Sequence, residues 1–184
     1  MSSSANVNAG KPASTGAVFV APLATSLPTD ATTAKNVAFV EVGYISSDGV
    51  TNSNAITSTD VKAWGGDTVL SLNTDKTDTF TFTMIESDNV NALKVAFGDN
   101  NVTVDANGNI SIKANNKPQT NREFIIEMLE ADNYARRIVI PNGAVTGLGD
   151  IVYKDDQAIG YPITITANLD SSGNTHYEYV QQHA

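Results

Sequence analysis

The side chains able to do proton or metal chemistry are few and poorly placed for it. Both histidines, His176 and His183, fall within the last nine residues. No metalloprotease HExxH, hydrolase GxSxG, Walker A or CxxC pattern occurs anywhere in the chain. Asp155 and Asp156 form an adjacent carboxylate pair, but neighbouring residues of an extended chain point to opposite faces and cannot share a substrate. The run Asp105-Ala-Asn107-Gly-Asn109 has the oxygen-rich look of half a calcium loop. It lacks the glycine spacing and the distal glutamate that an EF-hand needs, and Asx turns account for it. His176, between Thr175 and Tyr177, reads as a surface or interface residue. The chain has no cysteine, which removes thiolate, disulfide and Cys-zinc chemistry. These residues predict no enzyme, no metal and no cofactor.

Charge excludes a second class. With 11 basic and 20 acidic residues the net charge is −9, so the chain is poorly equipped to hold nucleic acid, whose phosphates require Lys and Arg. The basic doublet Arg136-Arg137 reads as part of a solvated face beside a strand. No apolar run is long enough to span a bilayer, so no membrane insertion is expected. The opening MSSSANVNAGKPASTG has neither a basic nor an apolar region of the kind a signal peptide carries. Synthesis and folding in the cytoplasm are therefore expected.

What remains is scaffold. The length of 184 residues fits one domain with extensions. Abundant Thr, Asn, Ser and Asp favour strands and turns over long helices. The stretch that organises the chain runs from Trp64 to Gly98. Val69, Leu70 and Leu72 supply one apolar strand, Asn73 to Asp78 a turn, and Thr79 to Ile85 a second strand. There Phe80, Phe82 and Met84 alternate with Thr79, Thr81 and Thr83 at a period of two. Then the period changes, and a helix is expected over 87–98, with Val90, Leu93 and Phe97 on one side, a cap at Ser87 or Asp88 and a stop at Gly98. Phe80, Phe82, Met84, Leu93 and Phe97 are the expected core under that helix.

The other segments are read against this one. Residues 1–30 read as a flexible arm, polar to Gly16 and then carrying the apolar run Ala17–Ala21 between glycine and proline. A single β domain is expected over 31–184. Ala38–Ile45 reads as its first robust strand. The polar stretch 46–63 reads as a long loop or hairpin extension that contacts a neighbouring subunit. Trp64 closes it as a core anchor or a contact to that neighbour. Short strands are expected at Val102–Val104 and Ile110–Lys113 about an Asn-Gly turn. Further strands are expected at Arg122–Glu130 (a helix being the other reading), Arg136–Ile140 (ended by Pro141), Ile151–Lys154 and Ala158–Leu169. In the last of these Tyr161, Ile163, Ile165 and Ala167 oppose Pro162, Thr164 and Thr166, and the proline suggests an edge position or a break in the ladder. The fold class expected is mainly β: a β-sandwich or barrel-like sheet with one flanking α-helix.

Three stretches carry a resemblance: Lys62-Ala-Trp64-Gly-Gly66-Asp67-Thr-Val69, Gly149–Tyr161 and Gly173-Asn-Thr-His176-Tyr-Glu-Tyr179. Together with the order of hairpin and helix, they make the chain resemble the major tail tube proteins of long-tailed, non-contractile bacteriophages. The likeness spans about Asn6 to Tyr179, with Gln157 a local departure where an acidic residue is expected. The resemblance implies a structural protein of the virion tail whose hexameric rings stack into a tube around a tape-measure protein. It further implies distal tail and tail terminator proteins as partners, and genomic DNA passing through without specific binding. Under that reading Thr79, Thr81, Thr83, Thr164 and Thr166 are expected to face the lumen. Val18, Phe19, Val50, Asn52, Ile56 and Trp64 are expected to contact neighbouring subunits. The alternative class is a secreted all-β adhesin or pilus-like module.

Overall fold

The computed structural model describes residues 2, 4, 7–13, 16–130 and 134–182. His183, and parts of the expected N-terminal arm, lie outside the described residues. The chain forms β1 (Lys11–Pro12), β2 (Val18–Pro22), β3 (Val40–Glu41), β4 (Ile45–Lys62), β5 (Thr68–Met84), helix α1 (Val90–Phe97), β6 (Val102–Val104), β7 (Ile110–Ile112), β8 (Arg122–Leu129), β9 (Tyr134–Leu148), β10 (Tyr161–Ala167) and β11 (Tyr177–Gln182). The main sheet runs β3-β2-β8-β9-β10-β5-β4, with β1 beside β8 and β11 beside β9; β6 and β7 make a separate hairpin. The fold is mainly β, with an antiparallel sheet and one α-helix.

The helix covers one face of the sheet. Asn89, rather than Ser87 or Asp88, caps it: its side chain accepts from the backbone N–H groups of Asn91 and Ala92. Gly98 ends it with φ 95°, a conformation a side chain would resist, and its N–H donates to the Lys94 carbonyl. Beneath lie Phe80, Phe82 and Met84 of β5, Tyr161, Ile163 and Ile165 of β10, Ile138 and Ile140 of β9, Phe124 and Ile126 of β8, and Val18 and Val20 of β2. Leu93 is buried with them, and Phe97, half-buried, meets Tyr161 edge-on at 5.8 Å between ring centroids. Burying one such aromatic or aliphatic side chain contributes about 1.5–3 kcal/mol. Gly143 permits the close packing: a Cβ there would sit 2.7 Å from Phe124 and 3.0 Å from Ile165.

Several expectations are corrected. Val18 and Phe19 are 0% and 4% exposed. β2 pairs with β8 inside the sheet, so these two residues belong to the subunit's own core and not to an arm. Of the expected strand Ala38–Ile45, only Val40–Glu41 pairs as β3, while Ile45 opens β4. Stretch 46–63 is not a loop. It forms the hairpin extension instead: strand β4 pairs with β5 at Ile45 and again from Val50 to Lys62, with a register shift across the residues between. The expected turn at Asn73–Asp78 lies within β5, which passes it with a register shift opposite Thr57 and Ser58. Both stretches mislead because a ribbon with solvent on both faces has no apolar period to show. β9 likewise runs through Pro141 to Leu148. The register shift between Arg122 and Phe124 falls opposite this proline, where the ladder does not require its missing N–H. β10 is an internal strand, with Pro162 near its start. The segment expected as a strand at 151–154 is not one.

Candidate functional site

Opposite the helix, the sheet divides into two halves. Over β2, β8 and β9 it is closed. Phe19, Ala21, Phe39, Ile125 and Val139 form a second cluster, with Leu27, Tyr177 and Tyr179 packed against it. The connection between β2 and β3 lies across this half and is pinned there by Arg137, which is buried rather than solvated. Its guanidinium donates to Glu127 Oε1 at 2.6 and 3.0 Å and to the carbonyls of Asp30 and Thr33 at 2.8 Å. Lys35 pairs with the other Glu127 oxygen at 3.1 Å and lies 3.7 Å above the Phe19 ring.

Over β10, β5 and β4 no described segment covers the sheet. Thr164 stands opposite Thr81, and Thr166 opposite Thr79, across the β10–β5 pair. Thr51 continues the first row and Ser53 the second onto β4. Thr81 is exposed, while Thr79, Thr83, Thr164 and Thr166 are half-buried. Thr146 of β9 joins them through a 2.9 Å hydroxyl contact with Thr166, at the register shift between Thr164 and Ile165. Sequence reasoning missed Thr146, whose strand has no Thr row to signal it, and Thr51 and Ser53, which lie in a stretch without apolar alternation to fix which face they take. The result is a hydroxyl-rich surface crossing four strands to the outer edge of β4, with Asp48 beside Thr51, Thr81 and Thr164. No described strand pairs with that edge over the 18 residues of β4.

Beyond residues 54 and 78 the β4–β5 pair leaves the body. Every residue from Thr51 to Thr77 is exposed, including Ile56 at 61%, Val69 at 63% and Leu70 at 50%. Trp64 is fully exposed at the turn that joins the two strands, so it does not anchor a core. Val50 and Asn52 sit at the hairpin's base. Val50 packs partly on the core, and Asn52 donates to Asp78 Oδ1 at 2.7 Å.

Asp78 is 1% exposed and also accepts from the Thr175 hydroxyl and His176 Nδ1, each at 2.6 Å. Burial, the largest single influence, raises its carboxyl pKa. The hydrogen bonds from Thr175, Asn52 and His176, with the charge attraction of His176, outweigh it and hold the group below its ordinary value. A depressed folded value stabilises the fold above the unfolded value of about 4, and that gain is lost as pH falls through the folded value. Denaturant titrations of the parent and Asp78→Asn should therefore converge in stability as the pH drops below about 4. A stability difference that stays constant through that range would refute the depressed pKa.

A cavity of about 450 Å³ lies between β1 and the base of β4, lined by Pro12, Ala17, Ile45, Val50, Ile126 and Met128 among others. Glu41 and Tyr44 are the titratable residues in its lining, and no histidine or second carboxylate stands with them. Among the described residues no cluster of three metal-binding side chains exists. Asp105 accepts the N–H groups of Asn107 and Asn109, both at 2.8 Å, as an Asx turn does. No helix is long and apolar enough to cross a membrane.

Among the described residues the subunit thus presents a bare polar sheet face, an unpaired edge and a projecting ribbon with an apolar tip. The family model described as phage tail tube protein matches residues 3–184. The chain belongs to the phage tail tube protein family. No curated protein matches it. As a tail tube protein it has a structural role in the virion tail, and membership of the family implies assembly with itself and with other tail components.

Proposed function

We propose that this tail tube protein closes into hexameric rings with its threonine face inward, and that the rings stack into the conduit of a long, non-contractile tail. The observation that supports this best is the bare threonine face running out to the unpaired edge of β4. An open edge of 18 residues is an aggregation hazard in a free monomer. Pairing it with the β3 side of the next copy removes both edges, and a head-to-tail interface closes when its rotation closes. The wall then presents hydroxyls from an acidic subunit, without the basic side chains that would hold DNA by releasing its counterions. The genome passes through this channel during delivery to the host.

The hairpin and the N-terminal segment reach adjacent rings. A tape-measure protein runs within the tube, and distal tail and tail terminator proteins close its ends. The subunit is made in the host cytoplasm and does its work without enzymatic chemistry. Negative-stain electron microscopy of the concentrated, purified protein tests the reading. Tubes or six-membered rings are expected, whereas dispersed single subunits at high concentration would overturn it.

A further inference from the structure

Asp78 marks the level at which the hairpin leaves the body. On β5 every residue from Thr68 to Thr77 is exposed, and Asp78 is the first that is buried. Outside this level each strand of the ribbon is held by the other alone. A two-stranded ribbon twists and bends easily, so its direction is decided where it is held. At that level a separate part of the chain takes hold of it. Thr175 and His176, just before β11, both bond to Asp78 Oδ2 at 2.6 Å, while Asn52 on β4 bonds to Oδ1 at 2.7 Å. One carboxylate thus joins both strands of the hairpin to the C-terminal segment.

The holding segment is itself stiff. Asp170 accepts from the N–H groups of Ser172 and Asn174 at 2.8 and 2.9 Å and from the Tyr177 hydroxyl at 2.6 Å. The His176 ring stands edge-on to Phe80 at 5.2 Å. Behind it, Glu178 accepts from Arg136 of β9 at 2.8 Å, and Arg136 also pairs with Glu130. The anchorage therefore runs from the hairpin base through β11 into the middle of the sheet.

We infer that Asp78, Thr175 and His176 are positioning residues that fix the direction in which the hairpin leaves the sheet. The C-terminal segment, which among the described residues hydrogen-bonds to the hairpin through Asp78, thus sets where the Trp64 tip is presented. What the tip is presented to rests on the tube reading; the clamp does not.

The absence of cysteine makes the test direct. Cysteines placed at exposed Asp67 near the tip and exposed Lys117 on the body carry nitroxide labels in the full chain. Their distance distribution is read by double electron–electron resonance at a concentration too low for assembly. The parent should give one narrow distribution. Asp78→Ala should at least double its width, with Asp78→Asn, which keeps one acceptor oxygen, falling between. Thr175→Val, which removes one donor and little volume, should also broaden it and decides the matter if Asp78→Ala does not fold. Phe82→Leu, a core change beside the clamp, should lower Tm without broadening.

Parent widths in folded Asp78→Ala or Thr175→Val would overturn the clamp, and so would equal broadening in Phe82→Leu. Electron microscopy of the same variants reports separately on the tube. Broadened hairpins on proteins that still build normal tubes would leave the clamp standing and remove the hairpin from assembly.

Discussion

Excising the outer hairpin should abolish tube formation and leave the subunit folded. Ala55 and Thr77 already face each other across β4 and β5. Replacing residues 56–76 with Asn-Gly supplies the two-residue turn that such a pair accepts. Every residue removed is exposed and none lies in either buried cluster. The excision therefore opens no cavity and strands no buried polar group, the changes that destabilise a fold most. What is lost is reach and apolar contact. Residues 55–62 extend the ribbon by roughly 25 Å at about 3.3 Å per residue. The tip carries Trp64 with Val61, Val69, Leu70 and Leu72, each at least 43% exposed in the single subunit. Fully burying one such side chain against a neighbour contributes about 1.5–3 kcal/mol, repeated at every copy along a tube. Thermal unfolding should show a Tm close to the parent's while micrographs show no tubes. Tubes of normal length from the excised protein would rule out the hairpin as an assembly element.

The same hairpin shows where sequence reading succeeds and where it fails. The strand face Phe80, Phe82, Met84 was legible because burial on one side imposes a period of two, and all three residues are at most 4% exposed. The Tyr161, Ile163, Ile165, Ala167 row of β10 was legible for the same reason, as was the helix, whose period changes at residue 90. Legibility ended where burial ended. Stretch 46–63 reads as loop or hairpin extension and Asn73–Asp78 as a turn because from Thr51 to Lys62 and from Asn73 to Thr77 the Asn, Asp, Ser and Thr side chains meet water on both faces. Backbone pairing alone, which leaves no side-chain signature, makes them strands. Short apolar runs failed in the opposite direction. Val18-Phe19-Val20-Ala21 reads as part of an arm, although able to pair as a strand, since four residues cannot reveal that they lie between β3 and β8 and are buried on both faces. The Asp78 cluster was invisible because its members come from residues 52, 78, 175 and 176, distant in the chain and individually ordinary.

Placing a cation on the threonine face should convert a passive wall into one that grips DNA. Thr81 is the exposed member of the expected lumen set and stands between Thr51 and Thr164. A lysine there keeps the long side chain in solvent and buries nothing, so the fold should tolerate Thr81→Lys. In a hexameric ring each substitution is repeated six times at one height, and again in every ring. Screening limits the interaction to about 8–10 Å at physiological salt, within reach of a duplex that fills the channel. Six neutralised phosphates weaken binding by about a thousandfold between 50 and 200 mM salt, which sets the expected signature. Assembled Thr81→Lys tubes should retain a short duplex at low salt and release it steeply across that range, while parent tubes retain none at either end. Asn107→Lys, on the exposed turn between β6 and β7, adds the same charge away from this face and serves as the control. If both lysine variants retained DNA equally, the threonine face would not line the channel. A grip confined to Thr81→Lys would mean that the hydroxyl rows are kept free of positive charge so that the genome can slide.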